Sequence, residues 1–217
     1  MKTQLIKLTQ AAVLGGLSLL ALPASAYQAG DLILRAGAAG VLPDSSSDVI
    51  TPIAAGAQVE ADDGWSLGLT ATWMVTNNIG VGVLAAWPFE HDIDGAGTIA
   101  GLGTVGETKH LPPTVTAQYH FNTSSKLHPY VGAGINYTNF FSEKGKGALA
   151  GSSISLDDSW GLAAEIGLDY ELNNDWLVSG QLWYIDIETE ATISGVPGSY
   201  DVQIDPWVVM LSVGKKF

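Results

Sequence analysis

The sequence predicts an all-β protein, an eight-stranded antiparallel up-and-down barrel that spans a membrane, and three observations predict it. Apolar residues alternate with small or polar ones along eight stretches, the period of a strand and not of a helix. Charged residues are only 14% of the 217, against 47% hydrophobic, where a soluble domain carries about a quarter, so much of the surface is not built for water. Beyond the extreme N-terminus no apolar run approaches the roughly 20 residues that a membrane helix requires.

The elements follow in order. Lys2 and Lys7 precede the apolar run Ala11 to Leu22, and Ala24-Ser25-Ala26 supplies the small residues of a cleavage site, so residues 1–26 are expected to be a removed signal peptide and 27–217 the mature barrel. A weaker alternation covers Asp31 to Val41. From Trp65 to Thr76 one face reads Trp65, Leu67, Leu69, Ala71, Trp73 and Val75. After the turn Asn77-Asn78 it resumes as Ile79, Val81, Val83, Ala85, Trp87 and Phe89. Leu111 to Phe121, Pro129 to Thr138 and Ser159 to Glu171 alternate as clearly, and Trp176 to Glu188 and Gln203 to Phe217 more weakly. Each is about the ten residues that cross a bilayer when tilted.

Connections alternate in length. Those at Asn77-Asn78, Asn122 to Lys126 and Leu172 to Asp175 are short; those at Leu42 to Gly64, His91 to His110, Ser142 to Asp157 and Thr189 to Asp201 are long and rich in Gly, Ser, Asp and Thr. This is the asymmetry of an outer-membrane barrel, with tight periplasmic turns and long external loops. On the five clearest strands the apolar face holds no Asp, Glu, Lys or Arg, where a Lys or Arg at the midplane would cost roughly 2–4 kcal/mol. Large aromatics fall at the ends of those faces: Trp65, Trp87, Phe89, Tyr137, Trp160 and Trp207 toward the long loops, Trp73, Tyr119, Phe121, Tyr170, Trp176 and Phe217 toward the short turns. Two belts at headgroup depth result.

Composition also bounds the partners. With 22 acidic residues against 9 basic ones and a net charge of -13, the chain repels phosphate, so no nucleic-acid partner is expected. No cysteine is present, so no disulfide holds an exported chain that must rely on burial, hydrogen bonds and the membrane. Gly101 to Gly106 satisfies G-x-G-x-x-G, but no strand leads into it and no helix follows. His91 to Gly95 faintly resembles a calcium loop, yet the position for its bidentate Glu is Gly103. The four His are scattered without metal-ligand spacing. No cofactor, no metal and no enzymatic activity are expected.

Together these segments resemble the OmpW family, the outer-membrane protein W barrels of Gram-negative bacteria. The likeness runs through Arg35-Ala36-Gly37, Leu67 to Thr70, Asn78 to Val81, Pro88-Phe89 with His91, His110 to Thr114, Pro129 to Thr138, Asp158 to Gly161, Trp183 to Ile187, Asp205 to Val208 and the terminal Phe217. Lys215 departs from it, since the family usually has an apolar residue there. The resemblance implies residence in the outer membrane among lipid and lipopolysaccharide, and assembly by the barrel-assembly machinery through Phe217. It also implies a porin-like transport role: a narrow hydrophobic conduit for small hydrophobic solutes, with Leu84 and Trp183 as its constriction. Ordinary core packing by those two residues is the alternative.

Eight strands leave a bore just wide enough for side chains, so an open ion-conducting pore is not expected. Arg35 shares a height and the inward face with Glu165 and Asp169, and buried charges must pair, so these three are expected to form an ion-paired floor; solvation by lumen water is the alternative. Pro88 near the outer end of the third strand and Pro112-Pro113 at the start of the fourth cannot donate ladder hydrogen bonds. Pairing should fail between them, leaving a lateral opening toward lipid, unless the prolines merely end the strands. A structural or surface-recognition barrel, used as an adhesin or as a phage or bacteriocin receptor, is the second functional reading.

Overall fold

The computed structural model describes residues 27–173 and 175–217; the expected signal peptide at 1–26 lies outside them. Eight strands form the barrel wall: β1 (Leu32–Leu42), β2 (Gly64–Met74), β3 (Ile79–Ala86), β4 (Thr114–His120), β5 (Leu127–Gly145), β6 (Ser159–Glu171), β7 (Trp176–Ile185) and β8 (Trp207–Lys216). Each pairs antiparallel with its sequence neighbours, and β1 pairs with β8, with Ala36 opposite both Leu69 and Val213. The sheet therefore closes, so the ladder uses its own N–H and C=O groups and leaves no edge for the hydrocarbon to contact.

The alternation read from the sequence sorts the side chains as expected. Leu67, Leu69, Trp73, Val81, Val83, Val115, Ile135, Leu162, Ile166 and Leu211 are exposed on the outer face, while Met74, Thr72, Thr116, Asn136, Trp183 and Met210 are buried inside. Strand period two makes this division all-or-none for a given register. Lys215, the residue out of pattern, sets its ammonium over the Trp176 and Phe217 rings, 5.7 and 5.2 Å from their centroids. A cation at the belt is thus held on aromatic faces.

Two expectations change. The long connections are not loops but a second tier of β structure. Strands Ala57–Ala61, Phe89–Gly97 and Thr104–Leu111 join the upper half of β5 in continuing the barrel sheet, and Ile154–Leu156, Glu188–Ile193, Ser199–Gln203 and Ser46–Ser47 form a four-stranded sheet beside it. Ile50, Ala57, Ile99, Ile193 and Tyr200 give this rim its own apolar core. Lys146 ties the rim by pairing with Asp92 at 3.0 Å and Glu107 at 2.6 Å. Phe89 also leaves the outer belt, because it is buried, whereas Trp87 remains exposed outward. The chain bends out of the strand at Trp87-Pro88, and a pleat interrupted by one residue returns with the opposite face inward.

Candidate functional site

The lumen is best built from its periplasmic floor upward. Arg35 from β1 and Asp169 from β6 are both buried and form an ion pair at 2.5 Å. Arg35 also donates from Nη1 to Thr72 Oγ1 at 3.0 Å, and its guanidinium stands 5.6 Å from the Tyr130 ring centroid. Asp169 accepts from the Tyr27 hydroxyl at 2.5 Å and from Ser179. Each guanidinium nitrogen and each carboxylate oxygen of the pair thus has a partner, the condition for a buried ion pair to persist.

Glu165 departs from the expected floor. It accepts from Thr116 at 2.8 Å and Gln118 at 2.9 Å, and among the described residues the ion pair of Arg35 is with Asp169. The reason is reach, since four residues along a strand rise roughly 13 Å, so one guanidinium does not serve both carboxylates. Tyr27, which the strand pattern did not mark, covers the floor from below and packs against the His120 and His128 rings at 5.1 and 5.2 Å. Gly167 makes room for this assembly, because a Cβ there would stand 2.2 Å from the Tyr130 ring.

Above the floor the lumen turns apolar. Leu84 from β3 and Trp183 from β7 belong to one buried cluster with Val208, Met210, Ile185 and Phe140. Their exposures of 5% and 1% mean that no passage of water width runs past them, so side chains close the bore at this height. Higher still lies a small cavity of about 20 Å³ against His91, His110, Thr108 and Phe140, and then an apolar chamber of about 60 Å³ among the rim strands. Ala61, Thr108, Phe140 and Ile204 line both, so the two spaces are neighbours. Outside them a recess of about 540 Å³ is walled by Asp48, Asp157, Asp158, Glu188, Glu190 and Asp201.

Pro88, Pro112 and Pro113 stand at an interrupted seam. The β3–β4 ladder runs from Ile79 opposite Tyr119 to Leu84 opposite Thr114, and pairing resumes only at Phe89 opposite His110. Each flank keeps its other neighbour: Trp87 donates to the Leu67 carbonyl at 2.9 Å, and Tyr137 to the Pro113 carbonyl at 3.0 Å. The break is therefore confined to one seam, and Leu84 is its lower lip.

His91 and His110, which sequence spacing did not join, stack above that seam at 4.8 Å. The pairing of Phe89 with His110 across the proline-flanked hairpin is the signal that could have joined them. Burial lowers the His91 pKa and takes that of His110 from 6.5 to about 3, with the neighbouring His91 adding to the latter. An unfolded chain thus binds more protons than the folded one between those values, and stability present above pH 6.5 is lost as pH falls toward 3. At about 1.4 kcal/mol per unit this one group contributes on the order of 5 kcal/mol to that loss. The melting temperature of the detergent-solubilised barrel is expected to fall steadily from pH 7 to pH 4, and His110→Phe to reduce that fall by about half; an unchanged slope would contradict it.

The comparisons with known proteins agree with this architecture. The OmpW family model matches residues 28–217. Outer membrane protein W of Vibrio cholerae is 48% identical over 213 residues, covering 95% of this chain and 96% of that protein. The dibenzothiophene metabolism operon protein PahQ of Pseudomonas aeruginosa is 26% identical, covering 75% of this chain and 76% of its own length. The crystal structure of the outer membrane protein OprG from Pseudomonas aeruginosa superposes with a TM-score of 0.79 at 41% identity, covering 88% of this chain and 97% of that one. A closed, outward-apolar barrel with these relatives is an outer-membrane protein, and the chain belongs to the OmpW family.

Proposed function

We propose that the protein admits small hydrophobic solutes through the outer membrane and releases them sideways into the bilayer. One observation carries this reading: the ladder between β3 and β4 breaks off at Leu84, beside the apolar cluster to which Leu84 belongs. Below it the axial route meets the Arg35–Asp169 pair. An apolar solute entering from the rim chamber would find an apolar wall at the seam and a charged, hydrogen-bonded floor beneath it. Leaving through the seam costs no desolvation of charge, whereas crossing the floor does. Passage requires the side chains around Trp183 to yield, since they close the bore at rest. The name of the PahQ relative, tied to dibenzothiophene metabolism, points to the same solute class. For assembly we propose recognition through Phe217, which is exposed and exchanges backbone hydrogen bonds with Leu32 at 3.0 and 2.8 Å.

The test is uptake of n-octane by cells with an intact lipopolysaccharide leaflet, with and without the protein. Protein-dependent uptake is expected, together with a fall of about ten-fold when Pro88, Pro112 and Pro113 are all changed to Val, which restores donors at the seam. Equal uptake in cells with and without the protein overturns the conduit; undiminished uptake in the triple variant overturns the lateral exit. A second reading, surface recognition of a cationic partner, is favoured by the recess walled by Asp48, Asp157, Asp158, Glu188, Glu190 and Asp201.

A further inference from the structure

The lipid-facing wall carries a gap and a charge that stand in line. On the outward face β7 presents Trp176, Val178 and Gly180, and β8 presents Lys215, Val213 and Leu211, each opposite its counterpart in that order. Gly180 adds no side chain to this row, and a Cβ there would meet only Leu211 Cδ2, at 3.7 Å. Leu168 on β6 and Leu211 on β8 flank it on either side. A recess of about 580 Å³ opens in the outer wall at this point, bounded further by Ala38, Ile166 and Leu182. A chain lying in it touches leucine on both sides, contacts that a flat wall does not give.

Below the rim, Lys215 is the one charged side chain on the outward face of the wall strands among the described residues. Its ammonium is held at the periplasmic belt over the exposed rings of Trp176 and Phe217. It enters no salt bridge among the described residues, and the nearby Asp175 pairs instead with Lys216 at 3.6 Å. A positive charge at headgroup depth, with no carboxylate bonded to it, is complementary to the phosphate of a lipid.

Charge and gap are one leaflet apart. From Lys215 to Leu211, as from Trp176 to Gly180, is four residues, roughly 13 Å along the strand. One leaflet of hydrocarbon is about 15 Å deep, half of the ~30 Å core. An acyl chain whose phosphate meets Lys215 therefore runs over Val213 and Val178 and enters the recess at Gly180 without leaving its own leaflet.

We propose that Lys215, Trp176 and the recess at Gly180 bind one anionic phospholipid of the periplasmic leaflet, with its phosphate on the ammonium and one acyl chain in the recess. This site is independent of solute passage, because it lies on the outer wall at β7 and β8. A choline phospholipid brings a cation of its own beside the phosphate and is held less tightly.

The test is native mass spectrometry of the purified barrel released from nanodiscs that hold equal amounts of phosphatidylglycerol and phosphatidylcholine with the same chains. One retained lipid per protein is expected, with phosphatidylglycerol favoured about five-fold, the size that one basic residue at an anionic surface gives. Lys215→Leu should bring the ratio near one, and Lys215→Arg, which keeps the charge, should leave it unchanged. Gly180→Leu, whose side chain fills the recess, should cut retention of both lipids at least five-fold while heat-modified migration shows the barrel folded. The wild-type ratio needs no variant, and a value near one overturns the site. A preference that survives Lys215→Leu, or undiminished retention in folded Gly180→Leu, also overturns it. Lipid-free dimers of the wild type would overturn it in favour of a second copy of the chain on this face.

Discussion

Arg35→Met is expected to destabilise the folded barrel by about 3–5 kcal/mol, the loss that follows when one partner of a buried ion pair is removed. The reasoning lies in what Asp169 would face. It is fully buried, and its charge is met by the guanidinium from two nitrogens, at 3.1 and 2.5 Å. Tyr27 and Ser179 would remain as neutral donors, but neither brings a compensating charge. The double variant Arg35→Met with Asp169→Leu removes both charges and is expected to recover most of the loss, since buried pairs are often replaceable by apolar groups of similar volume. Urea unfolding of the refolded protein in lipid vesicles measures both. A loss below about 1 kcal/mol in the single variant, the range of exposed pairs, would mean that the floor is wet and the pair contributes little.

Leu84→Arg is expected to cut uptake of an apolar solute at least ten-fold. Leu84 is the last residue of β3 paired before the seam and belongs to the cluster that holds Trp183, Val208 and Met210. A guanidinium there puts a permanent charge and its water on the path of a solute that carries neither, and more than about 1.4 kcal/mol added to the barrier already gives the ten-fold change. The residue faces inward, so the lipid-facing stripe and the strand register are left as they were. Heat-modified migration of the folded barrel is the control for assembly, and n-octane uptake is the readout. Undiminished uptake by a correctly folded variant would place the solute path elsewhere and leave Leu84 as packing.

How much of this was legible beforehand depended on how local the cause is. The wall strands were readable because the bilayer acts on every residue of a stripe alike. Leu67, Leu69, Trp73 and Val81 must each avoid charge wherever their neighbours lie, so period two alone assigned them outward, as they stand. The rim was misjudged for the opposite reason. Segments such as Glu188–Ile193 and Ser199–Gln203 are polar and glycine-flanked, and they become strands only because each pairs the other and their Ile193 and Tyr200 cluster with Ile50 and Ile99. Phe89 was assigned outward because alternation was carried straight through Pro88, whereas the bend there reverses it.

The site shows the same division. Residue types announced that Arg35 needed a buried carboxylate and that the prolines would interrupt a ladder, since a charge without solvent and a ring without an N–H have consequences in any fold. Which carboxylate answers Arg35 depended on barrel register: Asp169 lies within reach and Glu165 is instead held by Thr116 and Gln118. Tyr27 joined the floor, and His91 met His110, through contacts that no spacing rule contains. The sequence by itself determined the class of fold, the lipid-facing stripe, the aromatic belts and the seam, because each follows from the transfer of single side chains between water, headgroups and hydrocarbon. Only the tertiary structure decided the ion-pair partner, the closed bore and the paired imidazoles, because these depend on distances between strands far apart in the chain, which closure of the sheet sets.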